Sequence, residues 1–196
     1  MATSNYRATV LYLSMADDLL HHMHYKSFET ERLILRPCSE EDASFILELL
    51  NSPKWIKFIG NRQVYTVEEA EKYIADRMLP QLEKLGYGNY TMIRKKDGTK
   101  IGTCGLYDRA GVEGLDIGFA TLPDYEKKGY AYEAASRILS AAFEEFGIEK
   151  VCGYTTKDNL DSQRLLIKLG FERVGTTYLP NDEEKLEAYR KVKVND

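Results

Sequence analysis

The chain has 196 residues, of which 43% are hydrophobic and 30% are charged, and its formal net charge is −4. These values suit one globular domain and offer no basic surface of the kind that binds nucleic acid. No apolar run approaches the roughly 20 residues that a membrane helix needs. The three cysteines (Cys38, Cys104 and Cys152) form no Cys-x-x-Cys pair and are typical of reduced thiols. The sequence therefore predicts a cytoplasmic protein without nucleic-acid or membrane partners.

Residues 1–27 differ in character from the rest and are predicted to form an N-terminal appendage outside the fold. The apolar residues of segment 10–23 fit one amphipathic helix, but no clean signal-peptide core or cleavage site is present. No further ligand group stands at a suitable spacing from the three histidines, which are His21, His22 and His24. An exposed polar tail is the better interpretation, so no metal is expected. Residues 28–196 are predicted to form a single domain.

The rest of the chain alternates between strand-like runs and helical patterns. Strands are predicted at 31–37, 89–94, 100–107, 115–122, 150–155, 171–177 and 186–192. Helices are predicted from the cap at Ser39 to Leu50, and at 67–85, 131–146 and 158–169. Pro80 is expected to kink the second helix, and 55–60 is predicted as an aromatic loop. The Asp97-Gly98 turn predicts an antiparallel hairpin, and the crossover through 131–146 predicts one parallel strand pair.

The stretch from Asp116 to Phe146 carries the clearest chemical prediction. An apolar strand stops at Pro123, a turn containing Gly129 follows, and a helix then begins. This arrangement exposes unpaired backbone N–H groups at the positive end of a helix dipole, where a phosphate or pyrophosphate can bind. The turn is not a Walker loop, because Gly-Lys-Ser/Thr is absent. An ordinary strand-to-helix connection is the alternative.

Two motifs resemble those of the GNAT superfamily, the GCN5-related N-acetyltransferases. Residues 127–131, Lys-Lys-Gly-Tyr-Ala, fit the acyl-CoA loop of that family, although Glu126 stands where the family has Arg or Gln. Residues 159–171 are similar to its Asn-x-x-Ser/Ala…Lys-x-Gly-Phe segment. The resemblance covers 28–192. It implies an α/β (α+β) GNAT fold, in which helices flank both faces of a mixed, mostly antiparallel sheet with one splayed parallel pair.

Three further stretches resemble one subgroup of this family. The opening at 29–37, the segment 55–60 and the strand at 101–106 are similar to Rim-type ribosomal-protein N-terminal acetyltransferases. Many members of that subgroup act on small-molecule amines, so the acceptor does not follow from the resemblance. The acceptor is left open between a protein N-terminus and a small amine.

The resemblance implies that acetyl-CoA is the co-substrate and indicates which residues bind it. The pantetheine arm is expected to pair with the backbone of one splayed strand, and the pyrophosphate is expected on the loop amides. The positions that match are Phe119, Ala120, Thr121, Lys127, Lys128, Gly129, Tyr130, Ala131, Asn159 and Ser162. A solvated turn is the alternative for the two lysines, and Asn159 has the alternative role of a helix N-cap.

Acetyl transfer to an amine needs a base for the amine proton, a donor for the oxyanion and a hydrogen bond for the departing thiolate. Many relatives use a tyrosine as the acid, but Leu166 occupies the matching position here. Ser162 instead matches the serine that the Rim-type subgroup places beside the thiol. Asp116 stands where relatives often carry Glu and is the predicted base, with Glu113 and Tyr107 as rivals. The predicted catalytic residues are therefore Ser162 and Asp116.

The predicted function is transfer of an acetyl group from acetyl-CoA to a primary amine, directly and through a tetrahedral intermediate. A non-catalytic acyl-CoA-binding regulatory module is the alternative, supported by Glu126 and the missing tyrosine. Trp55, Phe58 and Tyr65 predict an aromatic acceptor mouth, and the acidic balance favours a cationic amine. The expected partners are acetyl-CoA and the amine, in a monomer or a homodimer.

Overall fold

The structure is a computed structural model that describes residues 25–112, 114–180 and 183–194. The helix predicted within 1–27, the three histidines and Glu113 lie outside the described residues. Phe28 is buried against the rings of Tyr90 and Phe146. Lys26 Nζ lies 2.8 Å from a carboxylate oxygen of Glu145. The described chain therefore contacts the rest of the domain from Lys26 onward.

In the described residues eight strands form one sheet, in the spatial order β1-β2-β3-β4-β5-β6-β8-β7. The strands are β1 (Phe28–Glu29), β2 (Leu33–Pro37), β3 (Asn89–Arg94), β4 (Thr99–Asp108), β5 (Leu115–Thr121), β6 (Lys150–Thr156), β7 (Glu172–Thr177) and β8 (Leu186–Val192). The α-helices are α1 (Ala43–Leu50), α2 (Pro53–Phe58), α3 (Val67–Arg77), α4 (Leu79–Leu85), α5 (Tyr130–Glu144) and α6 (Leu160–Lys168). This is the mixed, mostly antiparallel sheet that the sequence predicts.

The pair β5–β6 is parallel, and every other strand pair in the described sheet is antiparallel. The register of the parallel pair holds at only two positions, Leu115 with Val151 and Asp116 with Cys152. Beyond them the two strands separate, although β5 continues to Thr121 and β6 to Thr156. The predicted splayed pair is confirmed.

Two hydrophobic clusters pack on opposite faces of this sheet. One cluster joins β2, β3, β4 and β6 to α5 and includes Ile117, and the other joins α1 and α3 and contacts Ala120. Ile117 and Ala120 have opposite parity along β5, so their side chains point to opposite faces. The helices therefore flank both faces, as predicted.

Two element predictions are wrong. Segment 55–60 is predicted as a loop, but Pro53–Phe58 is helical, with proline at the first helical turn where its missing N–H costs nothing. The helix predicted across 67–85 is two helices that meet at Met78. Pro80 has no N–H to donate to the Asp76 carbonyl oxygen, and in a continuous helix its ring would clash with that carbonyl group. The proline therefore ends the first helix instead of kinking it.

A buried ion cluster fixes the entry to α1. Asp42 has no exposed surface and accepts hydrogen bonds from Arg36 (2.7 Å), the Thr91 hydroxyl (2.7 Å) and the Ser39 amide (3.1 Å). Lys100 Nζ lies 2.6 Å from the same carboxylate. Burial alone would raise the pKa of Asp42, but the Lys100 and Arg36 charges and the hydrogen bonds outweigh it and hold the pKa below its ordinary value.

Candidate active site

A cleft of about 580 Å³ opens where β5 and β6 separate. Both strands, the start of α5, the start of α6 and residues of α2 and α3 line it. Most of the predicted site residues lie together in this cleft, namely Asp116, Phe119, Ala120, Thr121, Lys127, Gly129, Tyr130, Ala131, Asn159 and Ser162. Lys128 is the exception: it does not line the cleft, and its ammonium donates to the Asp124 carbonyl oxygen at 2.6 Å.

The backbone of β5 presents only alternate amides to the cleft. The Leu122 amide donates to the Ile101 carbonyl oxygen at 2.9 Å, toward β4. Because amides alternate in direction along a strand, that of Ala120 also points toward β4, while those of Phe119 and Thr121 point toward β6. Phe119 and Thr121 are thus the residues whose N–H groups face the gap, and Ala120 borders the cleft through its side chain.

The loop before α5 holds its backbone in a shape suited to an anion. Lys127 has a φ of 55° and Gly129 a φ of 84°, both in the left-handed region. None of the N–H groups of residues 127–132 donates to another described residue. Six consecutive amides at a helix N-terminus are therefore available to a ligand, which is the arrangement that binds phosphate.

Arg32 fixes this loop from behind. Its guanidinium donates to the Lys128 carbonyl oxygen at 3.0 Å, pairs with Glu133 of α5 at 2.6 Å and stacks over the Tyr130 ring at 4.5 Å. The loop is thereby attached to the start of β2 and to α5 without use of its own amides. The free amides of residues 127–132, which we call the anion seat, are therefore held in place without a ligand.

Glu126, the acidic departure from the family loop, has a basic partner. Lys54 of α2 lies 2.6 Å from the Glu126 carboxylate and 3.0 Å from that of Asp161, in the first turn of α6. The hydrogen bond with Glu126 is the main cause that raises the pKa of Lys54. Lys54 therefore neutralises the acid beside the loop and connects α2, the loop and α6. Sequence reasoning missed this residue.

Replacement of Lys54 by methionine is expected to weaken acetyl-CoA binding. The change leaves two carboxylates without their cation beside the anion seat, and for a solvent-exposed pair we expect about a two- to fivefold rise in Kd. Calorimetric titration with acetyl-CoA measures it. Lys57→Met is the matched control, because it removes a lysine from the same helix outside the cleft and should leave Kd unchanged. A Lys54→Met chain with the wild-type Kd would contradict the neutralising role.

Two predicted residues stand at the start of α6. Asn159 caps the helix, since its side-chain oxygen accepts the Ser162 amide at 3.2 Å. The Ser162 hydroxyl lines the cleft and makes no hydrogen bond with another described residue. Leu166 is buried against Gly153, so no hydroxyl stands at the position where many relatives have tyrosine. Ser162 is thus the hydroxyl that α6 presents to the cleft.

Asp116 lies at the closed end of the cleft and is 3% exposed. It forms a two-pronged ion pair with Arg109, with N–O distances of 2.6 and 3.1 Å. Burial raises the pKa of the carboxyl group, and the Arg109 charge opposes that rise. The predicted base is therefore an ion-paired carboxylate with a raised pKa. The contact with Arg109 was not apparent from the sequence.

Of the two rival bases, Tyr107 lies within the described structure. Its hydroxyl donates to Asn89 Oδ1 at 2.7 Å, and its ring covers Gly118, so closely that a Cβ there would lie 2.7 Å from it. Burial raises the pKa of the phenol further above its ordinary value. A phenol that stays protonated is a hydrogen-bond donor and not a base at neutral pH.

The side of the cleft where the sequence predicts the acceptor contains more than the predicted aromatic residues. Trp55 and Phe58 line it as expected, but Tyr65 does not; that side chain is 62% exposed and its hydroxyl accepts from Asn61. The residues that sequence reasoning missed on this side are Arg62, Tyr73, Arg77, Asn89, Arg109 and Tyr154. They come from five separate parts of the chain, and no local motif connects them.

Two of the described cysteines are buried and poorly suited to act as nucleophiles. Burial raises the pKa of Cys38 and of Cys104 to about 12, so neither thiol ionises readily enough to act as a nucleophile.

In the part of the chain that the structure describes, no helix has both the length and the hydropathy to cross a membrane.

Comparison with known proteins agrees with this geometry. The family model described as an acetyltransferase (GNAT) domain matches residues 32–172. An uncharacterised N-acetyltransferase of Bacillus subtilis, YoaA, is 29% identical over 148 residues, which are 75% of this chain and 83% of that protein. The FsC-acetyl coenzyme A-N(2)-transacetylase of Aspergillus fumigatus is 26% identical over 160 residues, 78% of this chain and 67% of that protein.

Solved structures show the same fold. A GNAT-family acetyltransferase from Bacillus anthracis superposes with a TM-score of 0.71 at 23% identity, covering 85% of this chain and 98% of that one. A ribosomal L7/L12 α-N-protein acetyltransferase in complex with coenzyme A superposes with a TM-score of 0.73 at 16% identity, again covering 85% and 98%. Together with the cleft, the loop amides and the family match, these findings show that the chain belongs to the GNAT family of acetyl-CoA-dependent N-acetyltransferases.

Proposed function

We propose that the chain transfers the acetyl group of acetyl-CoA directly to a primary amine, through a tetrahedral intermediate and without a metal ion. The observation that carries the proposal is that one cleft contains both an anion seat and a carboxylate at its closed end. The free amides of 127–132 and the open edge of β5 suit the co-substrate, and in our proposal the acceptor amine meets the thioester beside Asp116.

In this proposal the cleft holds acetyl-CoA through backbone groups. The N–H groups of Phe119 and Thr121 pair with the pantetheine arm as a neighbouring strand would, and the amides of residues 127–131 bind the pyrophosphate. The Lys127 side chain adds positive charge at the same end. The Phe119 amide also faces the gap, so it is the donor that we propose for the oxyanion.

Ser162 is proposed to hydrogen-bond the departing thiolate. Its hydroxyl lines the cleft at the first turn of α6 and has no competing partner among the described residues. The helix dipole is positive at this end, which further favours negative charge on sulfur. The hydroxyl therefore acts mainly after the C–S bond has begun to break.

Replacement of Ser162 by alanine is expected to lower kcat about tenfold or more and leave the Kd of acetyl-CoA nearly unchanged, since the lost bond forms mostly in the transition state. Thiol release gives kcat, and calorimetry gives Kd. Ser140→Ala is the matched control, because Ser140 is a partly buried serine of α5 outside the cleft, with its hydroxyl bonded to Glu144. Wild-type turnover in the Ser162 variant would leave that residue only its structural place in the helix.

Asp116 is proposed as the base that takes the amine proton through water. An alkyl ammonium ion has a pKa near 10, so a proton must be removed before attack. The carboxyl pKa is already raised by burial, which makes the carboxylate a stronger base than an exposed aspartate. Arg109 acts in the opposite direction and favours the ionised form of the carboxyl group.

Asp116→Asn is expected to lose turnover most at neutral pH and to recover as pH approaches the amine pKa, because solvent then deprotonates the acceptor. Arg109→Met is the companion variant. Without Arg109 the pKa of Asp116 rises, so the acid limb of the pH–rate profile should move to higher pH while activity persists above it. Steady-state rates across pH measure both. A profile of Asp116→Asn parallel to that of the wild type would reject this base.

The proposal as a whole is tested by thiol release from acetyl-CoA in the presence of an amine panel. The panel contains amino acids, polyamines, aminoglycosides and peptides with free N-termini, and mass spectrometry of the acceptor identifies the product. We expect amine-dependent thiol release and an acceptor that gains one acetyl group. Tight binding of acetyl-CoA without turnover on any amine would favour the alternative, a regulatory module that binds acyl-CoA.

A further inference from the structure

The charges that line the cleft are unequal. Six basic and three acidic side chains line it. All three acids are neutralised inside the structure: Glu126 and Asp161 pair with Lys54, and Asp116 pairs with Arg109. The basic residues beyond these pairs are Arg62, Arg77, Lys127 and Lys168. The cleft is therefore positive, although the chain as a whole is acidic.

These four residues divide between the two ends of the cleft. Lys127 belongs to the loop of the anion seat, and Lys168 ends α6 and lies over the Tyr132 ring at 4.1 Å. Both belong to the end that suits the phosphates of acetyl-CoA. Arg62 and Arg77 instead lie on the segment before α3 and at the end of α3, on the opposite face of the sheet from α5.

A series of contacts connects the end of α3, where Arg77 lies, with the proposed reaction centre. The next residue, Met78, receives the side-chain amide of Asn89 at its sulfur at 3.4 Å. Asn89 in turn accepts the Tyr107 hydroxyl, and Tyr107 is the cross-strand neighbour of Asp116. An amine held near Asp116 would therefore extend its remaining atoms toward the end of α3.

Neither arginine has an ion pair or hydrogen bond with another described residue. The dipole at the end of α3 favours a cation such as Arg77, but it does not explain a second arginine that reaches the same cleft from another segment. Trp55, Phe58 and Tyr73 line the cleft with them. Two cations beside aromatic rings suit a molecule with a carboxylate and an apolar body.

We propose that the acceptor is a primary amine that also carries a carboxylate, bound by Arg62 and Arg77 beside the aromatic side chains. This inference rests on the proposed function and names its substrate class. The acidic net charge of the chain favours a cationic amine, and this proposal reverses that expectation. The reason is that the three acidic side chains that line the cleft are already paired with basic ones. A polycationic amine would be repelled by the same two arginines.

The test compares phenylalanine, phenylalaninamide and spermidine as acceptors for the full chain. Phenylalanine and its amide differ only in the charged group. Loss of the carboxylate lowers the pKa of the neighbouring amine, so intrinsic reactivity at neutral pH favours the amide. We expect phenylalanine to have the higher kcat/KM by about tenfold, the usual effect of one charge-assisted hydrogen bond. Spermidine should be the poorest acceptor.

Arg62→Gln and Arg77→Gln should each raise the KM for phenylalanine several-fold, with kcat and the KM for acetyl-CoA little changed. Lys72→Gln is the control, since it removes a positive charge from α3 outside the cleft. Two dipeptides, one with aspartate and one with asparagine in second place, test whether the carboxylate belongs to an acidic peptide. A preference for the aspartate dipeptide that is lost in the arginine variants would support the proposal with an acidic peptide as the acceptor.

Three results would overturn this proposal. Equal use of the acidic, neutral and cationic acceptors, with unchanged KM values in the arginine variants, would reject the carboxylate site while leaving the acetyltransferase function intact. A rise in the KM for acetyl-CoA in place of the acceptor KM would assign the arginines to the co-substrate. Absence of acetylation on every amine tested would overturn the proposed function and this inference together.

Discussion

Gly129→Val is expected to abolish measurable acetyl-CoA binding in a chain that still folds. Gly129 has a φ of 84° at the N-cap of α5, a conformation that a β-branched residue adopts only at a cost of about 1–3 kcal/mol. An added Cβ would also lie 3.3 Å from the Arg32 guanidinium that fixes the loop. The loop should move, its amides should no longer converge on one anion, and affinity should fall by about a hundredfold or more.

Calorimetry with acetyl-CoA measures this loss, and thermal unfolding shows whether the variant folds. Gly98→Val is the matched control, because Gly98 has a φ of 71° in an exposed turn with open space around it. Both variants place valine in the left-handed region, but only the one at Gly129 lies in the cleft. Equal affinities for the two folded variants would remove the loop from the binding site.

Asp42→Asn is expected to destabilise the fold by about 3 kcal/mol, since it leaves two partly buried cations, Arg36 and Lys100, without their counter-charge. Asp42 is fully buried, and Arg36 and Lys100 both lie within 2.7 Å of its carboxylate. Urea denaturation measures the free energy of unfolding. Asp97→Asn is the control, because Asp97 forms a solvent-exposed ion pair with Arg94 and its loss should change the free energy of unfolding far less.

The same residue predicts a pH dependence. The pKa of Asp42 is lower in the folded chain than its ordinary value of 3.8. A carboxyl group whose pKa is lowered by folding contributes its full stabilisation at pH values above its pKa in the unfolded chain. This contribution is lost as pH falls through its pKa in the folded chain. The wild-type chain should therefore lose stability below about pH 4 more steeply than Asp42→Asn. Parallel stability curves for the two chains at acid pH would contradict the ion cluster.

The sequence predicts the central strand, turn and helix closely because each has a strong local cause. Strand β5 is an apolar run stopped by Pro123, and α5 follows Gly129 with apolar residues at helical spacing. The hairpin at Asp97-Gly98 also depends only on adjacent residues. Local patterns of this kind need no tertiary contact to be recognised.

Helix α2 was missed because its six residues are too few for a periodic helical pattern. The ion pairs of Lys54 and Arg109 were missed for a different reason. Each joins residues whose proximity depends on the three-dimensional course of the chain, such as α2 and the loop before α5. The residues of the cleft could be predicted in large part, but the charge that each one meets there could not.

The short register between β5 and β6 also affects how the chain unfolds. Beyond the pairs of Leu115 with Val151 and Asp116 with Cys152, no strand hydrogen bond joins the five-stranded side of the described sheet to its three-stranded side. Helix α5 and the side chains beneath it supply the rest of the connection. Cooperativity between the two sides is therefore weaker than in a continuous sheet. A molecule bonded to both strand edges links them into one unfolding unit, so saturation of the cleft sharpens the thermal transition as well as raising its midpoint.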